Sequence, residues 1–157
     1  EAEAGSKEGN IMKIAKTNSK GTFFTGLVKV AKNFGLKYKL GQMSLDSLKQ
    51  NIDKGYPTII ALQAWRGKSA CRKCAAKQTE DWSNIWQHGH YATAIGYSQK
   101  RIYFGDPYSA TRSYLSYKEL KNRWHDMDIK GRKLTNYGLV IYGKRPKYKI
   151  NQAIHMD

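Results

Sequence analysis

Apolar side chains recur at two different periods along the chain. In the first third they return every three or four residues, which predicts a helix over residues 22–34 and a second one that follows Ser44. Gly35 and Gly55 stand where these two helices should end, and glycine is the commonest residue just past a helix. Ser44 is a good N-cap, because its hydroxyl can accept a hydrogen bond from a free N–H of the first turn.

The rest of the chain favours short strands. Residues 36–40 alternate apolar with polar side chains, and residues 57–65 are short, β-branched and opened by proline, as buried strands often are. Further strands are predicted at 90–97, 102–104, 114–115 and 137–142, with a two-turn helix at 117–124 and a polar loop at 66–88. Early helices followed by strands at hairpin spacing predict an α+β fold, with the helices packed on an antiparallel sheet.

Length and composition narrow the class of protein. The 157 residues, of which 40% are hydrophobic, are sufficient for one domain with a real core. Residues 1–6 look like a secretion-leader remnant with cloning residues, which favours a secreted or extracellular chain, and they are left out of the fold. We expect the domain to cover residues 7–143, with residues 144–157 as a basic arm. No apolar stretch has the roughly 20 residues of a transmembrane helix.

The charge is strongly positive. Lys and Arg number 28 against 12 Asp and Glu, which gives +16. This charge is compatible with a merely well-solvated surface, and equally with an anionic partner such as nucleic acid, a membrane surface or an envelope polymer. No recognisable DNA- or RNA-binding motif accompanies it.

Several short motifs occur in a fixed order. They are Gly21-Thr22, residues 31–36, the strand end at 62–65, residues 89–97, residues 102–107 and 123–126. Together they resemble the papain-like cysteine peptidases of family thirty-nine, which remove bacteriocin leaders after a double glycine. The resemblance covers roughly residues 10–142. It implies a papain-like α+β fold and a peptide or protein substrate.

The resemblance also implies roles for two residues. The family uses a cysteine nucleophile, a histidine base and an aspartate that orients the histidine, and His90 and Asp106 occupy the last two positions. An imidazole stabilises the reactive thiolate, and a carboxylate on its other nitrogen fixes the tautomer. Without the resemblance, His90 would read as an ordinary strand histidine and Asp106 as part of an Asp-Pro turn.

The nucleophile itself is not recognised. In the family it opens an early helix, a few residues after a glutamine, and residues 7–21 hold no such Gln-then-Cys-Gly pattern. We therefore expect a domain that lacks the first family helix and is incomplete or inactive as a peptidase, but that retains His90, Asp106 and a peptide-binding groove. The resemblance implies that Trp82, Trp86 and Tyr108 shape this groove from the surface.

The only two cysteines, Cys71 and Cys74, lie in the predicted polar loop. A short-loop disulfide is the main expectation for a secreted chain. Two alternatives stay open: one cysteine could replace the nucleophile, since basic neighbours lower a thiol pKa, or both could bind zinc together with His88 and His90. Apart from that alternative, no cofactor is expected.

A second functional class remains open. The same scaffold could serve as a cationic effector or toxin module that binds or cleaves nucleic acid, because a fold does not fix a function. Its partner would be anionic, whereas the partner of the peptidase-like domain would be a peptide or protein.

Overall fold

A computed structural model describes residues 8–19, 21–65, 81–109 and 112–143. The predicted disulfide between Cys71 and Cys74, and the predicted arm at 144–157, lie outside these ranges. The chain divides into two compact units, one of residues 1–38 and 142–157 and the other of residues 39–141.

The smaller unit is built on two helices, α1 (Glu8–Ala15) and α2 (Phe24–Asn33). The second was predicted, and it ends just before Gly35, whose φ of 63° is one that glycine adopts readily. The first was not predicted from the sequence. α2 buries Phe24 and Ala31, and its Gly26 lies so close to α1 that a Cβ there would overlap the Ala15 carbonyl oxygen.

The larger unit contains an antiparallel sheet of six strands and a separate hairpin. In chain order the strands are β1 (Lys37–Gln42), β2 (Thr58–Gln63), β3 (Gly89–Tyr97), β4 (Arg101–Gly105), β5 (Ser113–Ser116), β6 (His125–Met127), β7 (Lys133–Thr135) and β8 (Tyr137–Tyr142). The sheet order is β1-β8-β2-β3-β4-β5, and β6 pairs with β7 alone. The α+β class with an antiparallel sheet is thereby confirmed.

Two further helices, α3 (Leu45–Asp53) and α4 (Tyr117–Arg123), contact this sheet. Ser44 caps α3 as predicted, because its hydroxyl accepts from the Ser47 N–H at 3.1 Å. Ser116 and Glu119 form a capping box at the start of α4. The core of the unit consists of side chains from both helices and the central strands, among them Leu48, Ile60, Ile102, Phe104, Leu120 and Trp124.

A β-bulge interrupts the pairing of β3 with β4. Ala94 is paired with Phe104, but Gly96 is paired with Tyr103, so Ile95 is an extra residue without a partner. Successive side chains of a strand point to opposite faces, so one extra residue exchanges the faces of all residues on one side of it. This bulge determines the geometry of the site described next.

Candidate active site

His90 and Asp106 come together at the end of the β3–β4 hairpin. Gly105 is paired with Thr93, so Asp106, the next residue, lies opposite Ala92 and on the same face as His90. The bulge makes this possible. If the register beyond it continued without Ile95, Asp106 would lie opposite Thr93 and would project from the other face of the sheet.

The two side chains are directly hydrogen-bonded. His90 Nε2 lies 2.7 Å from Asp106 Oδ1, and the two side chains are only 17% and 4% exposed. A carboxylate can only accept, so it selects the neutral tautomer in which Nε2 carries the proton. The Nδ1 atom of His90 has no hydrogen-bond partner among the described residues, and it is therefore the nitrogen left to accept or donate a proton.

Three further donors fix the Asp106 carboxylate. The Tyr108 backbone N–H donates to Oδ1 at 2.9 Å. The Trp65 indole N–H and the Ser113 hydroxyl donate to Oδ2 at 3.1 and 3.3 Å. With donors on both oxygens the carboxylate cannot rotate freely, so the imidazole plane is fixed as well.

Trp65 and Tyr108 form an aromatic pair beside this carboxylate. Their ring centroids are 4.8 Å apart, with an angle of 33° between the planes. Trp65 lies two residues past the end of β2 and has a left-handed φ of 56°, which non-glycine residues seldom adopt. Tyr108 had been predicted as a groove residue, whereas Trp65 and Ser113 had not been predicted at the site.

A cleft of about 120 Å³ opens next to His90. Its lining is largely apolar, with polar groups at His90, Asp106, Ser113 and Arg123. The apolar lining comes from Leu62, Ala64, Ala92, Phe104 and Leu115, with the rings of Trp65 and Tyr114. Such a cleft can take an apolar segment while the His90 imidazole faces it.

The surface position expected for Trp82 is wrong. Its side chain is only 5% exposed, and the Arg123 guanidinium lies over the ring with Cζ 4.0 Å from the centroid. Trp86 is half-buried and packs on His125, with ring centroids 4.4 Å apart. Neither tryptophan lines the cleft described above. The polar sequence around the two tryptophans predicted a loop. Nothing in that sequence indicated that Arg123 and His125, which are distant along the chain, would pack on their rings.

A second polar cluster lies on the opposite face of β2 and β3. Gln63 is fully buried, donates to the His125 carbonyl at 3.1 Å and to Asp126 Oδ1 at 3.3 Å, and accepts from the His88 N–H at 2.9 Å. Burial raises the pKa of the Asp126 carboxyl, against the hydrogen bonds from Met127 and Gln63 that lower it. The cluster connects the β6–β7 hairpin to His88, which directly precedes β3 and lies two residues before His90.

The zinc alternative concerns residues that are only partly described. Within the described ranges, no three His, Cys, Asp or Glu side chains are grouped as metal ligands. His88 and His90 belong to those ranges, whereas Cys71 and Cys74 do not. The His90 Nε2 atom is already bonded to Asp106.

Of the helices that are described, none is both long and apolar enough to cross a membrane. Comparison with curated proteins finds no match. The family model described as "Peptidase_C39 like family" matches residues 5–130.

Three solved structures are similar to the chain. The peptidase domain of Streptococcus ComA, a bi-functional ABC transporter involved in a quorum-sensing pathway, is 19% identical with a TM-score of 0.55, over 87% of this chain and 77% of that one. The Streptococcus mutans ComA peptidase domain is 20% identical with a TM-score of 0.53, over 84% of each chain. A C39-like peptidase from Bacillus anthracis is 19% identical with a TM-score of 0.51, over 81% of this chain and 62% of that one. At such identities the similarity shows the fold.

Proposed function

The chain belongs to the peptidase C39-like family, as the sequence motifs predicted. From this membership we propose that it binds an extended peptide beside His90 and Asp106. In the proposal these two residues correspond to the base and the orienting aspartate of a cysteine-peptidase triad. The observation that carries the proposal is the 2.7 Å hydrogen bond between the two residues. In this proposal His90 occupies the position of the family's base, with Nδ1 facing the missing nucleophile, and Asp106 orients it.

The geometry supports these roles in two ways. First, the imidazole is held in one tautomer by a carboxylate that is itself held by three other donors. A base in a fixed tautomer and orientation is what activation of a thiol requires. Second, Nδ1 has no competing partner in the described part of the chain, and the imidazole belongs to the wall of the cleft.

A peptide is the ligand class that the cleft supports best. Its apolar lining suits side chains or backbone Cα groups, and Ser113 and the exposed Trp65–Tyr108 pair offer a polar atom and a flat surface at its side. The similar structures from Streptococcus are peptidase domains by their titles. We carry over from the family the preference for a segment with two adjacent glycines.

We also propose that this chain by itself binds peptide without cleaving it. The described residues contain no thiol that could attack a carbonyl carbon, and the two cysteines of the sequence, Cys71 and Cys74, lie outside them. Among the family's three roles the chain then supplies the base and its orienter, together with the groove.

Peptide binding is tested with the tryptophan indole N–H signals. The chain has four tryptophans, so the ¹⁵N–¹H spectrum should show four indole cross-peaks, and Trp65→Phe assigns the one of Trp65. A peptide with two adjacent glycines should shift the Trp65 cross-peak in a saturable way and leave that of buried Trp82 in place. A peptide of the same composition without adjacent glycines is the control. Equal shifts of all four signals, or none at millimolar peptide, would reject the proposed groove.

Alkylation by iodoacetamide tests the nucleophile. If the chain has no activated thiol, Cys71 and Cys74 should react at the rate of a free cysteine peptide or, when disulfide-bonded, not at all without reductant. His90→Ala should then leave the reduced protein's rate unchanged. An accelerated reaction that is abolished by His90→Ala and by replacing one cysteine with serine would identify a substitute nucleophile, and the non-cleaving interpretation would be wrong.

A further inference from the structure

The tip of the β6–β7 hairpin exposes aliphatic side chains next to lysines. Ile129 is 58% exposed and Met127 is 37% exposed. Lys130 and Lys133 follow within four residues, and neither forms an ion pair with another described residue. A single exposed isoleucine is common on a protein surface. Apolar side chains flanked by cations, however, are also typical of segments that lie in a membrane interface.

The turn that carries Ile129 is preformed. Asp128 Oδ1 accepts from the N–H groups of Lys130 and Arg132 at 2.8 and 2.9 Å, and its Oδ2 accepts from Arg132 Nε at 2.6 Å. The hydrogen bond from the Arg132 backbone N–H is the main reason that the pKa of Asp128 lies below its usual value. Because the turn is already ordered, binding through it would cost little conformational entropy.

The acidic groups of the hairpin are occupied elsewhere. Both oxygens of Asp128 are used inside the turn, and Asp126 points toward Gln63 in the cluster behind the hairpin. The positive charge of Lys130 and Lys133 is therefore not neutralised locally, and the whole chain adds a net charge of +16. A partner of this tip should be anionic.

The aromatic side chain at the hairpin does not favour a nucleic acid. Trp86 packs against His125, and Lys133 Nζ lies 4.8 Å from the ring centroid. Base stacking needs an open ring face, and two side chains already lie against this ring. The apolar side chains of Met127 and Ile129 also gain little from contact with a nucleic acid, whereas they are stabilised by burial at the acyl boundary of a bilayer.

We propose that the tip formed by Met127, Ile129, Lys130 and Lys133 docks on an anionic lipid surface, with Ile129 inserted among the headgroups and the lysines against lipid phosphates and carboxylates. This goes beyond peptide binding, since the tip includes no residue of the cleft. It would hold the domain against a membrane surface.

Sedimentation with vesicles tests the docking. The full chain should bind equimolar phosphatidylcholine and phosphatidylserine vesicles at about 50 mM salt, bind pure phosphatidylcholine far less, and lose affinity as salt rises. Ile129→Ser should weaken binding about tenfold through the lost apolar insertion. Lys130→Gln should weaken it about fivefold. Ile129→Trp should strengthen it, because tryptophan prefers the interface.

Matched controls isolate the tip from the chain's overall charge. Ile95→Ser removes another exposed isoleucine, and Lys118→Gln removes a lysine of α4. Both should bind nearly as the parent chain does, and circular dichroism shows that each variant is folded. Equal weakening by Ile129→Ser and Ile95→Ser, or no vesicle binding at low salt, would overturn the proposal. So would tight binding of single-stranded RNA that Lys130→Gln weakens and Ile129→Ser does not.

Discussion

The carboxylate of Asp126 lies in the space that a side chain at Gly89 would need. A Cβ at position 89 would be 2.5 Å from Asp126 Oδ1 and 2.7 Å from Oδ2. The same carboxylate accepts from Gln63 and from the Met127 N–H, so it is not free to move aside. Gly89 precedes His90 directly, and the fit between Gly89 and Asp126 therefore bears on the position of the proposed base.

Gly89→Ala should destabilise the protein. The new methyl group must displace a hydrogen-bonded carboxylate, and overpacking of this kind costs about 1–3 kcal/mol. Gly96→Ala is the matched control on the same strand, because the atom nearest to its Cβ would be Tyr103 Cδ2 at 3.9 Å. Removing a strand glycine there should stabilise by about 0.5–1 kcal/mol. Urea unfolding midpoints that move in the same direction for both variants would contradict the steric argument.

Asp126→Asn should change how stability depends on pH. Burial raises the pKa of Asp126 in the folded chain, so between its unfolded and folded values the native state holds more protons than the unfolded state. The free energy of unfolding must then fall as pH rises through that window. Asparagine keeps an oxygen for Gln63 and Met127 but does not titrate, so the variant should melt a few degrees above the parent at pH 7.

The melting-temperature difference between Asp126→Asn and the parent should shrink toward pH 4. There a growing fraction of the parent's Asp126 carboxyl is protonated and therefore uncharged, like the asparagine amide. Thermal melts across this range are the measurement. If the variant melts below the parent at pH 7 and the gap closes in acid, the ionised carboxylate is stabilising on balance, and its burial is not the dominant effect.

Asp106→Asn should release the tautomer of His90. The parent carboxylate can only accept, which favours the proton on Nε2, whereas an amide can present either its oxygen or its NH₂ group to the ring. Imidazole ¹⁵N chemical shifts should therefore change from those of one neutral tautomer to those of a mixture. Ser113→Ala, which removes only the 3.3 Å bond to Oδ2, should keep the parent's tautomer. Unchanged shifts in Asp106→Asn would show that another group orients His90.

Strongly periodic segments could be predicted from the sequence. α3 has a capping serine and spaced apolar residues, and β2 is a short β-branched run, so local chemistry agrees with the final fold in both. α1, β6 and β7 were not predicted. They are short, at 8, 3 and 3 residues, and non-local contacts support them, such as the Gln63–Asp126 bond behind the hairpin.

The site was predictable where it rests on motifs. The resemblance implied that Asp106 orients His90, and the structure brings the two side chains into hydrogen-bond contact. The bulge at Ile95, which brings them to one face, leaves no periodic signal because it is a single extra residue. Trp65 reaches the site because the ends of several strands converge there. Arg123 covers the ring of Trp82 although the two residues are 41 positions apart in the sequence. Such contacts depend on the complete fold.

Gly26→Ala should destabilise the α1–α2 pair, whereas Gly9→Ala should stabilise it. A Cβ at Gly26 would overlap the Ala15 carbonyl oxygen, and backbone atoms cannot rotate away as a side chain can. The expected cost is about 1–3 kcal/mol, offset in part by the roughly 1 kcal/mol that alanine gains over glycine within a helix. Gly9 has no neighbouring atom within 4 Å of a Cβ, so only the gain should remain there. Far-ultraviolet circular dichroism during urea unfolding measures both variants. A lower midpoint for Gly26→Ala with a higher one for Gly9→Ala is the expected pair, and equal increases would mean that the two helices are not in close contact at Ala15.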